Sequence, residues 1–247
     1  MTSNTYPLPK VASREEWLAA RKALLVREKE LTRQRDALNA ARRRLPVVTI
    51  EKEYLFEGPR GKVPLVELFE GRRQLYIHHF MWIDALDSGC PQCTRTADMT
   101  YNSIPFLAQL QERDITFAAI ARAPYAKVAP FVARRGWVFP FYSSNGTTFN
   151  IDFGATLDES QAPIEYNYRS KAELTRAGLS PEVLHGDFPG HTVLVRDGTA
   201  VYHAYSSYAR GLDTLFAPYN FLDLTPYGRQ EDWEDSPEGW PQRPTYG

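Results

Sequence analysis

The sequence predicts an α/β fold built on a parallel sheet, and three observations carry that prediction. A mostly apolar, β-rich run from Gln74 to Trp82 passes through a short loop into helical spacing beginning at a Cys-Pro-Gln-Cys motif, Cys90 to Cys93. Strand and helix patterns then alternate through Ile115 to Arg122, Tyr125 to Arg135 and Val138 to Ser143, with crossovers long enough to pair the strands in parallel. Near the end, Thr192 to Arg196, the turn Asp197-Gly198 and Ala200 to Tyr205 read as a hairpin.

In chain order, Ser13 to about Leu45 reads as one long helix, opened by a capping box between Ser13 and Glu16. Trp17, Leu24, Leu31, Leu38 and Leu45 recur every seven positions, but their companions are mostly Ala, Arg and Glu, so the apolar stripe is narrow. It fits packing on its own domain or a homodimer contact. The run Arg42, Arg43, Arg44 fits a solvated helix end beside the dipole's negative pole. After Pro46 the pattern becomes strand-like, with Val47 to Phe56 and Val63 to Phe69 on either side of a Gly58 to Gly61 turn. From Cys93 to about Glu112 the spacing is helical, with Pro105 kinking or splitting it. Residues 145–189 are polar and turn-rich, helical only over Ser170 to Ala177, and read as an insertion. A helix is expected near Tyr208 to Phe216, then an irregular acidic tail. The expected organisation is a helical arm over 1–46, a domain over 47–231 and a tail over 232–247.

Composition bounds the function. The chain of 247 residues is 43% hydrophobic and 24% charged, which excludes a disordered or fibrous protein. Lys plus Arg number 29 and Asp plus Glu 30, a net charge of -1 that supplies no global field for nucleic acid or anionic lipid. No apolar run approaches the ~20 residues of a membrane span, and Met1 to Lys10 lacks the pattern of a secretory signal. The expected compartment is the cytoplasm, with neither nucleic acid nor membrane as partner.

That compartment gives the cysteines their meaning, because Cys90 and Cys93 are the only two. Cytosolic thiols stay reduced and a core of this size needs no staple, which leaves redox chemistry or metal binding. A strand-to-helix junction places Cys90 at the helix N-terminus, where unpaired N–H groups favour its thiolate, and Cys93 one turn inside. Cys90 is then the nucleophile and Cys93 the resolving thiol, with Pro91 presetting the first helical φ. Zinc is the alternative, using both thiolates with His78, His79 or His191, although adjacent strand positions send His78 and His79 to opposite faces. An iron–sulfur cluster lacks ligands. Asp152-Phe153-Gly154 spells a kinase triplet without its accompanying motifs and reads as turn chemistry. Asn145-Gly146-Thr147 is a glycosylation sequon that matters only in a secreted chain. Tyr202 to Tyr208 reads as strand and packing surface.

Taken together, the order strand, CPQC, helix, Ile115 to Pro124 (ITFAAIARAP), helix, Gly136 to Ser144 (GWVFPFYSS) and Phe188 to Gly198 (FPGHTVLVRDG) resembles the thioredoxin-like fold in its peroxiredoxin-related layout. More closely, the chain resembles a bacterial family of dithiol-disulfide oxidoreductases catalogued largely as a domain of unknown function. The long N-terminal helix carries that resemblance together with Ala121 to Pro124 (ARAP), Phe149 to Asp152 (FNID), Tyr205 to Gly211 (YSSYARG) and Leu222 to Glu231 (LDLTPYGRQE). It implies Cys90 and Cys93 as the redox pair and Pro189, with Gly190 and His191, as the segment that holds substrate backbone opposite the thiols. Trp82 stands eight residues before Cys90, where thioredoxin itself has a tryptophan next to the motif. A peroxiredoxin would have Thr three residues before its cysteine, and here that residue is Asp87.

The expectation is therefore a cofactor-free thiol-disulfide oxidoreductase acting on protein or small-molecule thiols and disulfides. Catalysis falls to Cys90 and Cys93, and substrate contact to Pro91, Pro189, Gly190, His191 and Trp82. The competing reading is a thioredoxin-fold interaction module whose CxxC is non-catalytic or binds zinc.

Overall fold

The structure, a computed structural model, describes residues 6–243. The first five residues of the expected arm and the last four of the expected tail lie outside the described residues. The chain divides into two compact units, one of Met1–Pro46 with Pro218–Gly247 and one of Val47–Ala217.

The first unit is dominated by α1 (Arg14–Arg42), which opens with the expected capping box: Ser13 Oγ accepts from the Glu16 N–H and Glu16 accepts from the Ser13 N–H. None of its residues is buried. The stripe of Trp17, Leu24, Leu31, Leu38 and Leu45 is exposed along its length. Elsewhere in this unit, the Arg229 guanidinium forks onto both oxygens of Asp223 at 2.7 and 2.8 Å.

The second unit holds the sheet. Its elements are β1 (Val48–Thr49), β2 (Leu55–Gly58), β3 (Gly61–Pro64), β4 (Gln74–His79), β5 (Trp82–Ile83), β6 (Ser88–Gly89), α2 (Pro91–Thr96), α3 (Ile104–Gln111), β7 (Ile115–Ala121), α4 (Tyr125–Arg135), β8 (Phe141–Ser143), α5 (Phe149–Asp152), β9 (Thr156–Leu157), β10 (Glu165–Tyr166), β11 (Arg169–Ser170), α6 (Lys171–Arg176), β12 (Gly186–Asp187), β13 (Gly190–Asp197) and β14 (Ala200–Tyr208). The main sheet runs β1-β14-β13-β4-β7-β8-β2-β3. β4, β7 and β8 are parallel, while β13 runs antiparallel to both β4 and β14. A βαβ unit whose first strand leads into the CxxC, flanked by an antiparallel hairpin, is the thioredoxin-like arrangement.

Four expected elements differ in detail, the first being the strand expected over Val63 to Phe69, which ends at Pro64 and continues as a 3-10 run, Leu65–Phe69. The helix after Cys93 is not continuous: a π-helical turn follows α2 at Ala97–Tyr101, and a new helix starts at Ile104. Pro105 sits in the first turn of α3, where its missing N–H costs nothing, and the Ser103 hydroxyl caps that turn by accepting from the Phe106 N–H. The last expected helix is a 3-10 run, Ala209–Leu215. The strand expected from Val138 pairs only from Phe141.

Strand alternation sorts the core. Leu75 and Ile77 of β4, Ala118 and Ile120 of β7 and Leu194 of β13 face one side, packed with Phe56, Phe69 and Phe149. Tyr76, Phe117, Ala119 and Ala121 face the other, where α2, α3 and α4 pack with Phe80, Trp82, Tyr101, Phe131 and Trp137. Burying each large side chain contributes about 1.5–3 kcal/mol. The expected insertion forms its own small cluster around Leu157, Ile164, Tyr166, Leu174 and Leu184. Among the described residues no helix is long and apolar enough to cross a membrane.

Candidate active site

The CxxC is aimed by the sheet. β4 ends at His79, and the Phe80 N–H still bonds the Ile120 carbonyl, so the chain leaves at the carboxyl edge of the parallel strands. It then folds back as the β5–β6 hairpin, pairing Trp82 with Gly89 and Ile83 with Ser88. Gly89 is dictated by packing, because a Cβ there would meet the Phe80 ring at 2.6 Å and the Phe131 ring at 2.9 Å. The Cys90 N–H donates to the Met81 carbonyl at 3.0 Å, tying the motif to the end of β4.

Cys90 is the N-cap of α2 and Pro91 occupies the first turn, as the motif implied. The Cys90 carbonyl accepts from both the N–H and the hydroxyl of Thr94, at 2.9 and 2.8 Å, which locks that turn. Both cysteines are free thiols; Cys90 is half-buried and Cys93 buried. The two are electrically unequal. The Cys93 S–H, together with the N–H groups of Cys93 and Gln92, stabilises a thiolate at Cys90 and pulls its pKa down to about 6 against the opposing effect of burial. Cys93 is pushed well above the usual thiol range, first by donating to Cys90, then by burial and by the charges of Cys90 and Asp187.

Asp187, which sequence reasoning did not single out, is the buried charge behind the thiols. Its side chain is only 3% exposed. It accepts from the Trp82 N–H at 3.1 Å, from Arg122 Nε at 3.0 Å and from the Thr156 hydroxyl at 2.7 Å. Arg122 donates its Nη2 to Asp84 at 2.7 Å, joining the hairpin before the motif to the strand before Pro189. The available sequence signals were positional: Arg122 directly follows β7, and Asp187 lies two residues before Pro189. Asp87, three residues before Cys90, is at φ +43 and pairs with Lys127 at 2.7 Å.

The expected substrate contacts divide. Pro91 is exposed beside Cys90 and Pro189 is half-buried. The Tyr166 hydroxyl donates to the Pro189 carbonyl at 3.0 Å. No cis peptide bond occurs among the described residues, so the bond before Pro189 is trans. Trp82, Gly190 and His191 are turned inward. Trp82 is buried edge-on against Phe131. A Cβ at Gly190 would meet the Tyr208 ring at 2.9 Å. His191 lies 3.1 Å from the Tyr76 hydroxyl through Nδ1 and 3.3 Å from the Tyr101 hydroxyl through Nε2, and stacks on His78 with centroids 4.6 Å apart. The antiparallel register puts His191 directly opposite His78, which sends it to the helix-covered face rather than to the edge where Cys90 stands.

The histidines weighed as zinc ligands do not converge with the thiols. His79 faces the other side of the sheet, 2.9 Å from the Thr192 hydroxyl. Burial pushes His78 down to about 3 and His79 to about 4, and drives His191 well below the usual range, so all three are neutral imidazoles at pH 7. Among the described residues no group of three or more His, Cys, Asp and Glu side chains is placed to hold a metal ion.

Comparison with known proteins places the chain. Solved structures similar to it include the peroxidoxin BcpB from Mycobacterium tuberculosis, with 14% identity and a TM-score of 0.45 over 70% of this chain and 92% of that one. They also include a PrxQ variant from Xylella fastidiosa, with 9% identity and a TM-score of 0.42 over 69% and 89%. A third is a peroxiredoxin-like protein from Aquifex aeolicus, with 11% identity and a TM-score of 0.43 over 67% and 77%. No curated protein matches by sequence. A family model described as a bacterial protein of unknown function, DUF899, matches residues 6–246, and the chain belongs to that family.

Proposed function

We propose that this protein is a thiol-disulfide oxidoreductase in which Cys90 attacks and Cys93 resolves. The observation that supports it is the asymmetry of the pair: a half-buried thiol with its pKa near 6 at a helix N-cap, next to a buried thiol held protonated. The Cys90 thiolate attacks one sulfur of a substrate disulfide, forming a mixed disulfide and releasing the first substrate thiolate. Cys93 then gives up its proton and attacks Cys90 Sγ, releasing the second substrate thiol and closing the Cys90–Cys93 disulfide. In balance, two protein thiols are oxidised and one substrate disulfide is reduced to two thiols.

Asp187 acts in this reading as a positioning residue. Donation to Cys90 and burial keep Cys93 protonated while Cys90 carries the charge, and the negative charge of Asp187 adds a smaller push in the same direction. Pro91 adjoins Cys90 at the helix start, Pro189 is assigned to hold substrate backbone, as the family resemblance implies, and the substrate class is a thiol or disulfide met in a reducing, cytoplasmic setting. Trp82, Gly190 and His191 serve the site from behind, by packing.

The test is single-turnover oxidation of the reduced protein by a disulfide, read by thiol alkylation and mass. Cys90→Ser is expected to abolish it, and Cys93→Ser to accumulate the mixed disulfide. Alkylation of Cys90 should follow an apparent pKa of about 6, losing about tenfold per pH unit well below it. Full turnover in the Cys90→Ser variant, or a Cys90 that titrates like an ordinary thiol, overturns the reading.

A further inference from the structure

Outside the carboxyl ends of β4, β7 and β8 lies a cleft of about 450 Å³ that the steps above do not use. Its walls come from all three parallel strands: Asp84 from the hairpin after β4, Arg122 directly after β7, and Asn145 just beyond β8. The insertion closes it with Asp158, Gln161 and His185. Crevices at the carboxyl edge of parallel strands are where α/β sheets bind ligands, and the volume suits a small molecule.

The chemistry of the lining is mixed in charge. Arg122 commits Nε to Asp187 and Nη2 to Asp84, and its side chain remains 36% exposed at the wall. The Asp84 carboxylate is 72% exposed, and Asp158 lines the same space. A cation and two carboxylates around one small cleft match a molecule carrying both a carboxylate and an ammonium group. A polypeptide segment offers neither along its backbone. Neither cysteine lines the cleft, but two of its residues are linked to the segment that carries Cys90. Asp84 opens from the β5–β6 hairpin that delivers Cys90, and Arg122 shares Asp187 with the Trp82 N–H, one residue beyond the Met81 that bonds Cys90.

We propose that this cleft seats the charged end of a small zwitterionic disulfide, of the amino-acid or short-peptide class, while its sulfur reaches Cys90. The inference rests on the exchange reading above and names its substrate. The step keeps the same balance: reduced protein plus one small disulfide gives protein disulfide plus two small thiols.

The experiment compares single-turnover oxidation of the full chain by glutathione disulfide, by hydroxyethyl disulfide, which lacks both charged groups, and by ribonuclease with scrambled disulfides. Glutathione disulfide is expected to outrun hydroxyethyl disulfide by about tenfold or more. Arg122→Gln and Asp158→Asn are expected to collapse that ratio, whatever they do to the absolute rates. In a Cys90→Ser/Cys93→Ser protein, S-methylglutathione should shift the backbone amides of residues 145–150, a readout independent of redox chemistry. Equal rates for the two small disulfides, a ratio unchanged in both variants, or preference for scrambled ribonuclease overturns the cleft assignment while leaving exchange intact. Failure of every disulfide to oxidise the thiols overturns the exchange reading, and the substrate assignment falls with it.

Discussion

His78 and His79 are neighbours on β4, yet the two faces of the sheet put them to different use. On the helix-covered side, His78 lies against His191 in an aromatic cluster with Phe80, Tyr101 and Tyr76, the same cluster that walls in Cys93. On the opposite side, His79 belongs to a hydrogen-bonded chain through the hydroxyls of Thr192 and Ser206 to His203, with steps of 2.9, 2.8 and 2.8 Å. Both faces carry aromatic rings, His79 itself stacking on Phe149 and Phe153, but only the first holds a thiol, Cys93. The second adds a polar chain across three strands. A buried polar residue thus does not mark a site by itself; what matters is the face that the strand period gives it.

The largest test of this contrast is a pair of truncations. Phe80→Ala on the thiol face and Phe149→Ala on the other should each cost about 3–5 kcal/mol, because both rings are fully buried. Only Phe80→Ala should also speed native-state alkylation of Cys93; equal effects on Cys93 would erase the distinction between the faces. Acid comes next and strikes both faces together. The folded pKa values of His78 and His79, about 3 and about 4, lie below the unfolded value near 6.5, so the unfolded chain binds more protons in that window. Their contribution is fully present above pH 6.5 and drains away as pH falls toward 4, by about 1.4 kcal/mol per pH unit for each histidine. Urea midpoints at pH 7, 6 and 5 check it, and His78→Phe should flatten the slope.

A smaller effect is expected from Gly89→Ala, about 1–3 kcal/mol from overpacking against Phe80 and Phe131. It should also raise the apparent pKa of Cys90 by displacing the helix N-terminus, as alkylation against pH would read. Smallest is Thr192→Val, which removes the hydroxyl between His79 and Ser206 and should cost about 1–2 kcal/mol with no change at either thiol.

Local chemistry made part of this legible in the sequence. The capping box at Ser13, the helix from Tyr125 to Arg135 and the parallel strands around the CxxC follow from side-chain period and turn residues that act within a few positions. Pro105 was legible as a disruption but not as the start of a new helix, because that depended on whether Ser103 would cap it. His191 was expected as a substrate contact from its place beside Pro189 and Trp82 from its place before the motif, and in the fold both side chains are buried. Asp187 and Arg122 offered only their positions, one before Pro189 and one after β7, since the pair is 65 residues apart and meets only in the folded chain.

By itself, the sequence determined the α/β class, the helix that starts at Pro91, and which two atoms can be nucleophiles, since each depends on residue type and spacing alone. Position at the helix N-terminus also marked Cys90 as the thiolate, whereas tertiary structure decided how deeply Cys93 is buried, which histidine faces the helix-covered side, and that a buried Asp187 bonds the segment before the motif. Those properties depend on desolvation and on contacts between distant segments, and neither exists until the chain has folded.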